Sequence, residues 1–186
     1  MDPGAESYRR WLEGDERAFE RIVAEYRQPL VFFINRYVRD LPAAEDLASD
    51  VFADLLAHPE RYNFGTSLKT YLFMLGRSRA IDLLRRQKKL TVVSLDETPT
   101  AEDAKILAAL FTDADPAQTA FSNERAEALR NALTKLPAEM RDAVELIYFE
   151  GLSYDEAAEV MHITRKKTDN LVYRAKKLLR GYLAGE

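Results

Sequence analysis

The chain has 186 residues, a formal charge of −4 at pH 7, 47% hydrophobic residues and no cysteine. That length allows one or two domains with a core of their own, and the missing thiols exclude a disulfide framework and a thiolate metal site. No apolar run approaches the roughly 20 residues that cross a membrane, and the opening segment from Met1 to Glu16 lacks the apolar stretch of a secretion signal, so a cytoplasmic protein is expected.

Seven glycines and seven prolines leave long stretches free of both, which favours helices over strands and turns. Ala18, Phe19, Ile22, Val23 and Tyr26 recur at helical spacing after Asp15, a suitable N-cap. Pro29 is expected to open a second helix whose apolar face holds Leu30, Phe33, Ile34, Tyr37 and Val38. Pro42 breaks the chain again. A third helix carries Leu47, Val51, Phe52, Leu55 and Leu56 and ends near His58-Pro59. Residues 61–67, RYNFGTS, read as a loop. A fourth helix runs from about Leu68 to Lys89, with Leu72, Leu75, Leu83 and Leu84 inward.

From Thr91 to about Gln118 the composition changes. Asp96, Glu97, Glu102, Asp103, Asp113 and Asp115 face a single Lys105, and Pro99 and Pro116 punctuate the run, which reads as an acidic linker. Within it Ile106, Leu107, Leu110 and Phe111 suit a short amphipathic helix. Ala120 to Leu133 is again helical in pattern. Pro137 stands at a first helical position, Met140, Ala143, Val144, Ile147 and Tyr148 follow on one face, and Gly151 suits the C′ position. Ser153 and Glu156 form a capping box for the next helix. No period-2 alternation persists and no internal repeat occurs. The expected fold class is all-α: two small helical domains, 5–90 and 120–186, joined by a flexible acidic linker, 91–119.

Positive charge in this acidic chain is gathered in two places. One cluster is Arg77, Arg79, Arg85, Arg86, Lys88 and Lys89; the other is Arg165, Lys166, Lys167, Arg174, Lys176, Lys177 and Arg180. Gathered cations are the footprint of a polyanion site. The second cluster lies on a helix-turn-helix pattern. Ser153 to Met161 is a short helix with Ala157 and Ala158 near its middle, His162-Ile163-Thr164 is the turn, and Thr164 caps a long basic helix. Thr168, Val172, Ala175 and Leu179 fall inward. Arg165, Lys166, Lys167, Asp169, Asn170, Tyr173, Arg174 and Lys177 fall outward, where the N-terminal residues of such a helix reach base edges in the major groove. An ordinary solvated charged face is the plain alternative, and the capping box, turn length and polarity together favour DNA. Asp169 repels phosphate, so it either accepts from a cytosine amino group or points away from DNA.

At this point a family is recognisable. The segment LPAEMRDAVELIYFEGLSYDEAAEVMHITRKKTDNLVYRAKKLL resembles the promoter-binding C-terminal domain of extracytoplasmic-function (group IV) sigma factors. DERAFERIVAEY, AAEDLASDVFADLL and TSLKTYLFMLGRSRAIDLLRRQKK resemble successive segments of the sigma region 2 domain, in the right order. The resemblance implies a subunit that directs core RNA polymerase to promoters and is held in check by an anti-sigma factor, with no catalysis, cofactor or metal. It assigns the −35 element to the helix-turn-helix through Thr164, Arg165, Lys166, Lys167, Asn170, Tyr173, Arg174 and Lys177. It assigns reading and melting of the −10 element to Tyr62, Asn63, Phe64, Lys69, Tyr71, Arg77, Ser78, Arg85 and Arg86. Melting needs stacking platforms and cations for a single strand; aromatics at these positions also suit a core, and both readings stand. Docking on the clamp of the polymerase falls to Glu45, Asp46, Ser49, Asp50 and Asp54. Asp46, Asp50 and Asp54 lie four residues apart, and like charges at that spacing cost roughly 0.2–0.5 kcal/mol per pair, which a basic partner relieves.

The chain departs from the family pattern at Met74, Ser78 and Leu171, and His162 replaces the usual turn glycine, so the turn is either strained or differently shaped. Three other function classes compete. A stand-alone repressor needs dimer symmetry, and no dimerisation helix is evident. A sigma mimic that only binds an anti-sigma factor leaves the basic clusters unexplained. An enzyme finds only His58 and His162 as histidines and no phosphate loop, metal cluster or nucleophile motif.

Overall fold

The computed structural model describes the backbone of residues 2–90, 128–129 and 131–184. The expected linker and the start of the second expected domain lie outside the described residues. Those described form helices and turns only. They are α1 (Pro3–Leu12), α2 (Glu16–Val38), α3 (Leu41–Ala57), a 3₁₀ turn (Pro59–Arg61), α4 (Leu68–Leu90), α5 (Ala138–Val144) running into a π turn (Glu145–Phe149), α6 (Tyr154–Met161) and α7 (Arg165–Ala184).

The sequence pattern did not announce α1, yet its origin is local. Asp2 is its N-cap, Pro3 sits in the first turn, and the Asp2 carboxylate accepts from Gly4 N at 3.1 Å and Ala5 N at 3.2 Å. The same carboxylate accepts from Leu68 N at 2.7 Å, the first amide of α4. Each helix starts with unpaired amides, and one side chain serves two such starts. Ser67 completes the cap of α4, its hydroxyl accepting from Thr70 N at 3.1 Å.

Asp15 precedes α2 but makes no side-chain cap. Its carboxylate accepts instead from Arg10 at 2.8 Å and Arg21 at 3.0 Å. Pro29 does not open a new helix: α2 runs through it. A mid-helix proline costs about 3 kcal/mol. Ile22, Tyr26, Leu30, Phe33 and Ile34 form one buried stripe on both sides of it, and burying such side chains returns roughly 1.5–3 kcal/mol each. The stripe therefore outweighs the break. α3 starts where Asp40 accepts from Ala43 N at 3.1 Å and buries Ala44, Ala48, Val51, Phe52 and Leu55. α4 lies close on α2 because Gly76 has no side chain: a Cβ there would stand 2.8 Å from Leu30 Cδ1.

In the second half, α5 gives way to the π turn. Met140, Ala143 and Val144 are buried as the period requires, but Leu146 then takes the core position, Ile147 is half-buried and Tyr148 is 51% exposed. The capping box of α6 is complete: Ser153 Oγ accepts from Glu156 N at 3.2 Å and Glu156 accepts from Ser153 N at 2.9 Å. His162 closes α6 in the left-handed conformation, φ 54° and ψ 44°. The turn is thus strained, not reshaped, because a Cβ in this region meets the neighbouring carbonyl. Thr164 caps α7, accepting from Lys167 N at 3.3 Å.

The two halves share one hydrophobic core, and α6 packs on α4.

Replacing Asp2 by Ala removes a cap from two helices. We expect a loss of about 1–2 kcal/mol in denaturant unfolding, against a few tenths for Asp2→Asn; equal stability of all three chains would show that water caps both helix starts as well. His162→Gly relieves the left-handed strain and should raise stability by about 1 kcal/mol. A lower unfolding midpoint for that variant would mean that the imidazole contributes more than the strain takes away.

Candidate nucleic-acid interface

α7 is held by an inward row of Thr168, Leu171, Val172 and Ala175, all buried. Leu171 is thus a core residue beside the expected four-position pattern. Opposite it, Lys166, Asn170, Tyr173, Arg174 and Lys177 are exposed, Tyr173 by 71%. Their spacing places them on one continuous stripe of the helix. Arg165 and Lys167 flank it and are engaged within the chain, Arg165 Nη1 with Asp155 at 2.8 Å and Lys167 Nζ with Glu139 at 3.0 Å. Exposed pairs of this kind are worth under about 1 kcal/mol, so a phosphate displaces them readily. Asp169 is exposed and lies 3.9 Å from Arg165 Nε.

The loop before α4 is built as an aromatic cluster. Tyr62 is 3% exposed and its hydroxyl donates to the Thr66 carbonyl at 2.8 Å. Its ring lies 4.8 Å from Phe64 and 5.2 Å from both Tyr71 and Tyr8. Phe64 has a positive φ of 61°, and the Arg9 guanidinium stands 4.9 Å over its ring. Asn63 is exposed, with Oδ1 accepting from Gly65 N at 2.9 Å. Tyr62 is therefore core, while Phe64 and Tyr71 are half-buried. Ser78, Arg85 and Arg86 are exposed.

Glu45, Asp46, Ser49 and Asp50 form an exposed face on α3. Ser49 Oγ donates to the Glu45 carbonyl at 2.8 Å, and Glu45 lies 3.8 Å from Arg27. Asp54 differs from its neighbours: it is held by Arg61 at 3.0 Å and by Arg79 at 3.3 Å. Arg79, grouped with the α4 cations by sequence, is thus spent on α3.

Sequence reasoning missed a seam between the halves. Arg36 Nη1 on α2 lies 2.7 Å from Glu145 Oε2, and Arg77 Nε on α4 lies 3.8 Å from Asp142 Oδ2. Lys69 Nζ donates to the Glu150 carbonyl and lies 3.2 Å from its carboxylate. Thr70 Oγ1 donates to Glu156 Oε1 at 3.0 Å. Burial pushes the Asp142 carboxyl up against the pull of Tyr37 and Arg77, and the Glu145 carboxyl up against the pull of Arg36. Nothing in the periodicity of α2 or α5 signals these pairs, because each joins residues far apart in the chain.

No helix of the described residues is long and apolar enough to cross a membrane, and no group of three or more His, Cys, Asp or Glu among them is placed to hold a metal ion.

Comparison with known proteins matches residues 22–90 to the family model Sigma-70 region 2 and residues 126–179 to Sigma-70, region 4. The RNA polymerase sigma-H factor of Pseudomonas aeruginosa is 27% identical over 170 residues, 89% of this chain and 86% of that protein. The ECF RNA polymerase sigma factor SigM of Bacillus subtilis is 27% identical over 161 residues, 87% of this chain and 92% of that protein. Two solved structures share the fold. CnrH in complex with the cytosolic domain of CnrY has a TM-score of 0.64 at 18% identity and covers 99% of this chain and 96% of its own. The sigma factor RpoE in complex with the anti-sigma factor NepR from Bartonella quintana has a TM-score of 0.62 at 21% identity, covering 89% and 96%. With region 2 and region 4 matched in order on the two halves, and full-length relatives of the same kind, the chain belongs to the extracytoplasmic-function sigma factors, transcription initiation factors that direct core RNA polymerase to promoters.

Proposed function

We propose that the halves of this sigma factor divide promoter recognition as their families do. Residues 5–90 dock on core RNA polymerase and open the −10 element; residues 120–186 read the −35 element in duplex DNA; residues 91–119 connect them. The chain is a binding subunit and performs no catalysis of its own. The observation that carries this reading is the exposed stripe of Lys166, Asn170, Tyr173, Arg174 and Lys177 on the second helix of a capped helix-turn-helix. Such a stripe supplies both phosphate contacts and base-edge donors.

On the other half, the exposed acids Glu45, Asp46 and Asp50 suit a basic surface of the polymerase, with Asp54 acting through the Arg61 and Arg79 that hold it. For the −10 strand, Phe64 and Tyr71 offer ring faces, Asn63 and Ser78 polar groups, and Arg85 and Arg86 charge. Tyr62 supports them from the core. An anti-sigma partner is proposed by analogy, since the RpoE of similar fold was solved bound to one.

Multi-round transcription with purified core RNA polymerase and a library of upstream fragments tests the whole reading. Start sites that appear only with this chain are expected; neither initiation nor co-elution with polymerase would return the argument to a repressor or a mimic. Asp46→Lys with Asp50→Lys should weaken polymerase binding by at least tenfold while the helical circular dichroism stays intact, and an unchanged affinity removes α3 from the docking surface. Arg174→Ala should flatten the slope of log affinity against log salt by about 0.9, the release of one counterion. If base preference changes and the slope does not, Arg174 reads a base.

A further inference from the structure

The region 2 match begins at residue 22, after α1, so that match gives α1 no task. The structure gives it a place. Asp2, Tyr8 and Arg9 all reach residues 59–68, the segment ahead of α4. Asp2 accepts from Leu68 N at 2.7 Å, the Tyr8 hydroxyl donates to the Pro59 carbonyl at 3.1 Å, and the Tyr8 ring lies 5.2 Å from Tyr62. One position further along, the Arg9 guanidinium stands 4.9 Å over the ring of Phe64.

Arg9 differs from the other cations around this loop. Arg61 and Arg79 are taken by Asp54, Lys69 by Glu150, and Arg10 beside it on α1 by Asp15. Among the described residues no carboxylate pairs with Arg9, which is exposed and faces a ring instead. That ring belongs to a strained residue. Phe64 has a φ of 61°, where a bulky side chain is an outlier. Asn63, accepting from Gly65 N, closes the turn around it, and Tyr62 packs on it at 4.8 Å. Strain held in place by its surroundings points to a functional site.

A cation over an exposed ring is a weak contact, and both of its partners find a better one in a single strand. An unstacked base takes an aromatic face more strongly than an exposed guanidinium does. The guanidinium in turn meets a phosphate oxygen with charge on both sides of the bond. We propose that Arg9 is a strand-binding residue for promoter opening: it covers Phe64 in the free protein, yields the ring to an unstacked base of the −10 element, and moves to a phosphate of the same strand. This rests on the reading of the aromatic loop and α4 as the −10 site. Closed duplex, whose bases are stacked, has nothing to offer the ring, so the exchange favours only the opened strand.

Holoenzyme assembled from core RNA polymerase and the full chain tests this on a promoter fragment found by the transcription screen. Its −10 element is presented both as duplex and as a bubble opened by mismatches. On the bubble, Arg9→Ala should weaken binding about tenfold and flatten the slope of log affinity against log salt by about 0.7, one phosphate contact to a single strand. On the duplex, permanganate reactivity of the −10 thymines should fall by a similar factor. Arg9→Lys keeps the charge and should keep the slope. In a Phe64→Leu chain, which lacks the ring, Arg9→Ala should still flatten the slope, because the phosphate contact does not pass through the ring.

An unchanged slope in Arg9→Ala overturns the proposal. So does a slope change that disappears in the Phe64→Leu chain, which would make Arg9 a positioning residue for the ring alone. Equal losses in Arg9→Lys and Arg9→Ala, with a lower unfolding midpoint for both, would make it part of the fold. Arg9→Gln serves if Arg9→Ala loses its helical circular dichroism, and loss of fold in both has that same meaning. If the wild-type holoenzyme initiates and these measurements fail, only the role of Arg9 falls; if it initiates nowhere, the −10 reading falls and Arg9 with it.

Discussion

Covering α4 on two sides is the constraint from which the rest of the structure follows. Its inward residues Leu68, Leu72, Phe73 and Ala80 are fully buried, and α1, α2 and α3 all contact it. Phe73 stacks near Phe33 with centroids 4.8 Å apart, and Gly76 lets the backbones close. The N-terminal turn is then fixed by Asp2 and Ser67, so the aromatic loop ahead of it has a set position. A second side, with Lys69, Thr70 and Arg77, is covered by α6 and met by Asp142 and Glu150 on either side of the π turn.

Different forces act on the two coverings. The first is apolar, and its gain scales with area removed from water. The second mixes apolar contact with charge. Glu145 and Arg36 are both nearly buried at 2.7 Å, a pair whose attraction is offset by the cost of stripping water from both ions. Arg36 Nε and Arg77 Nε lack an aligned hydrogen-bond partner, and each such atom adds a cost of about 1–3 kcal/mol where no water reaches it. The apolar residues therefore hold the halves together, while the charges decide which face of α4 meets which segment of the C-terminal half.

The helix-turn-helix shows the same division between holding and aiming. Its α6 and α7 are fixed by small and branched residues, Ala157, Ala158, Val172 and Ala175. The direction of α7 depends on His162, which adopts a conformation that glycine takes at no steric cost. The π turn does comparable work upstream. Within it Leu146 lies in the core and Tyr148 points outward, where Lys176 stands 4.9 Å over its ring.

Much of the fold was legible in the sequence because it is written in local codes. The capping box of α6, the Asp40-Leu-Pro start of α3, the Gly151 turn at φ 70° and the inward row of α7 each need only a few neighbouring residues. Local codes also misled. Pro29 reads as a break, but the stripe from Ile22 to Ile34 is longer than the break is costly. Ile147 and Tyr148 follow the 3.6-residue period, but Leu146 takes the core position in their place. The candidate site was legible as residue types and only half legible as positions. Sequence alone determined a chain of helices with two cationic clusters and a basic helix-turn-helix, since periodicity, caps and charge are properties of neighbours along the chain. Only the tertiary structure decided that Tyr62 is core, that Asp54 is held by two arginines, that Asp2 caps a helix 66 residues away, and that Lys69 and Arg77 face carboxylates. Each of these is set by which surfaces meet, and that depends on packing between segments that carry no mark of one another.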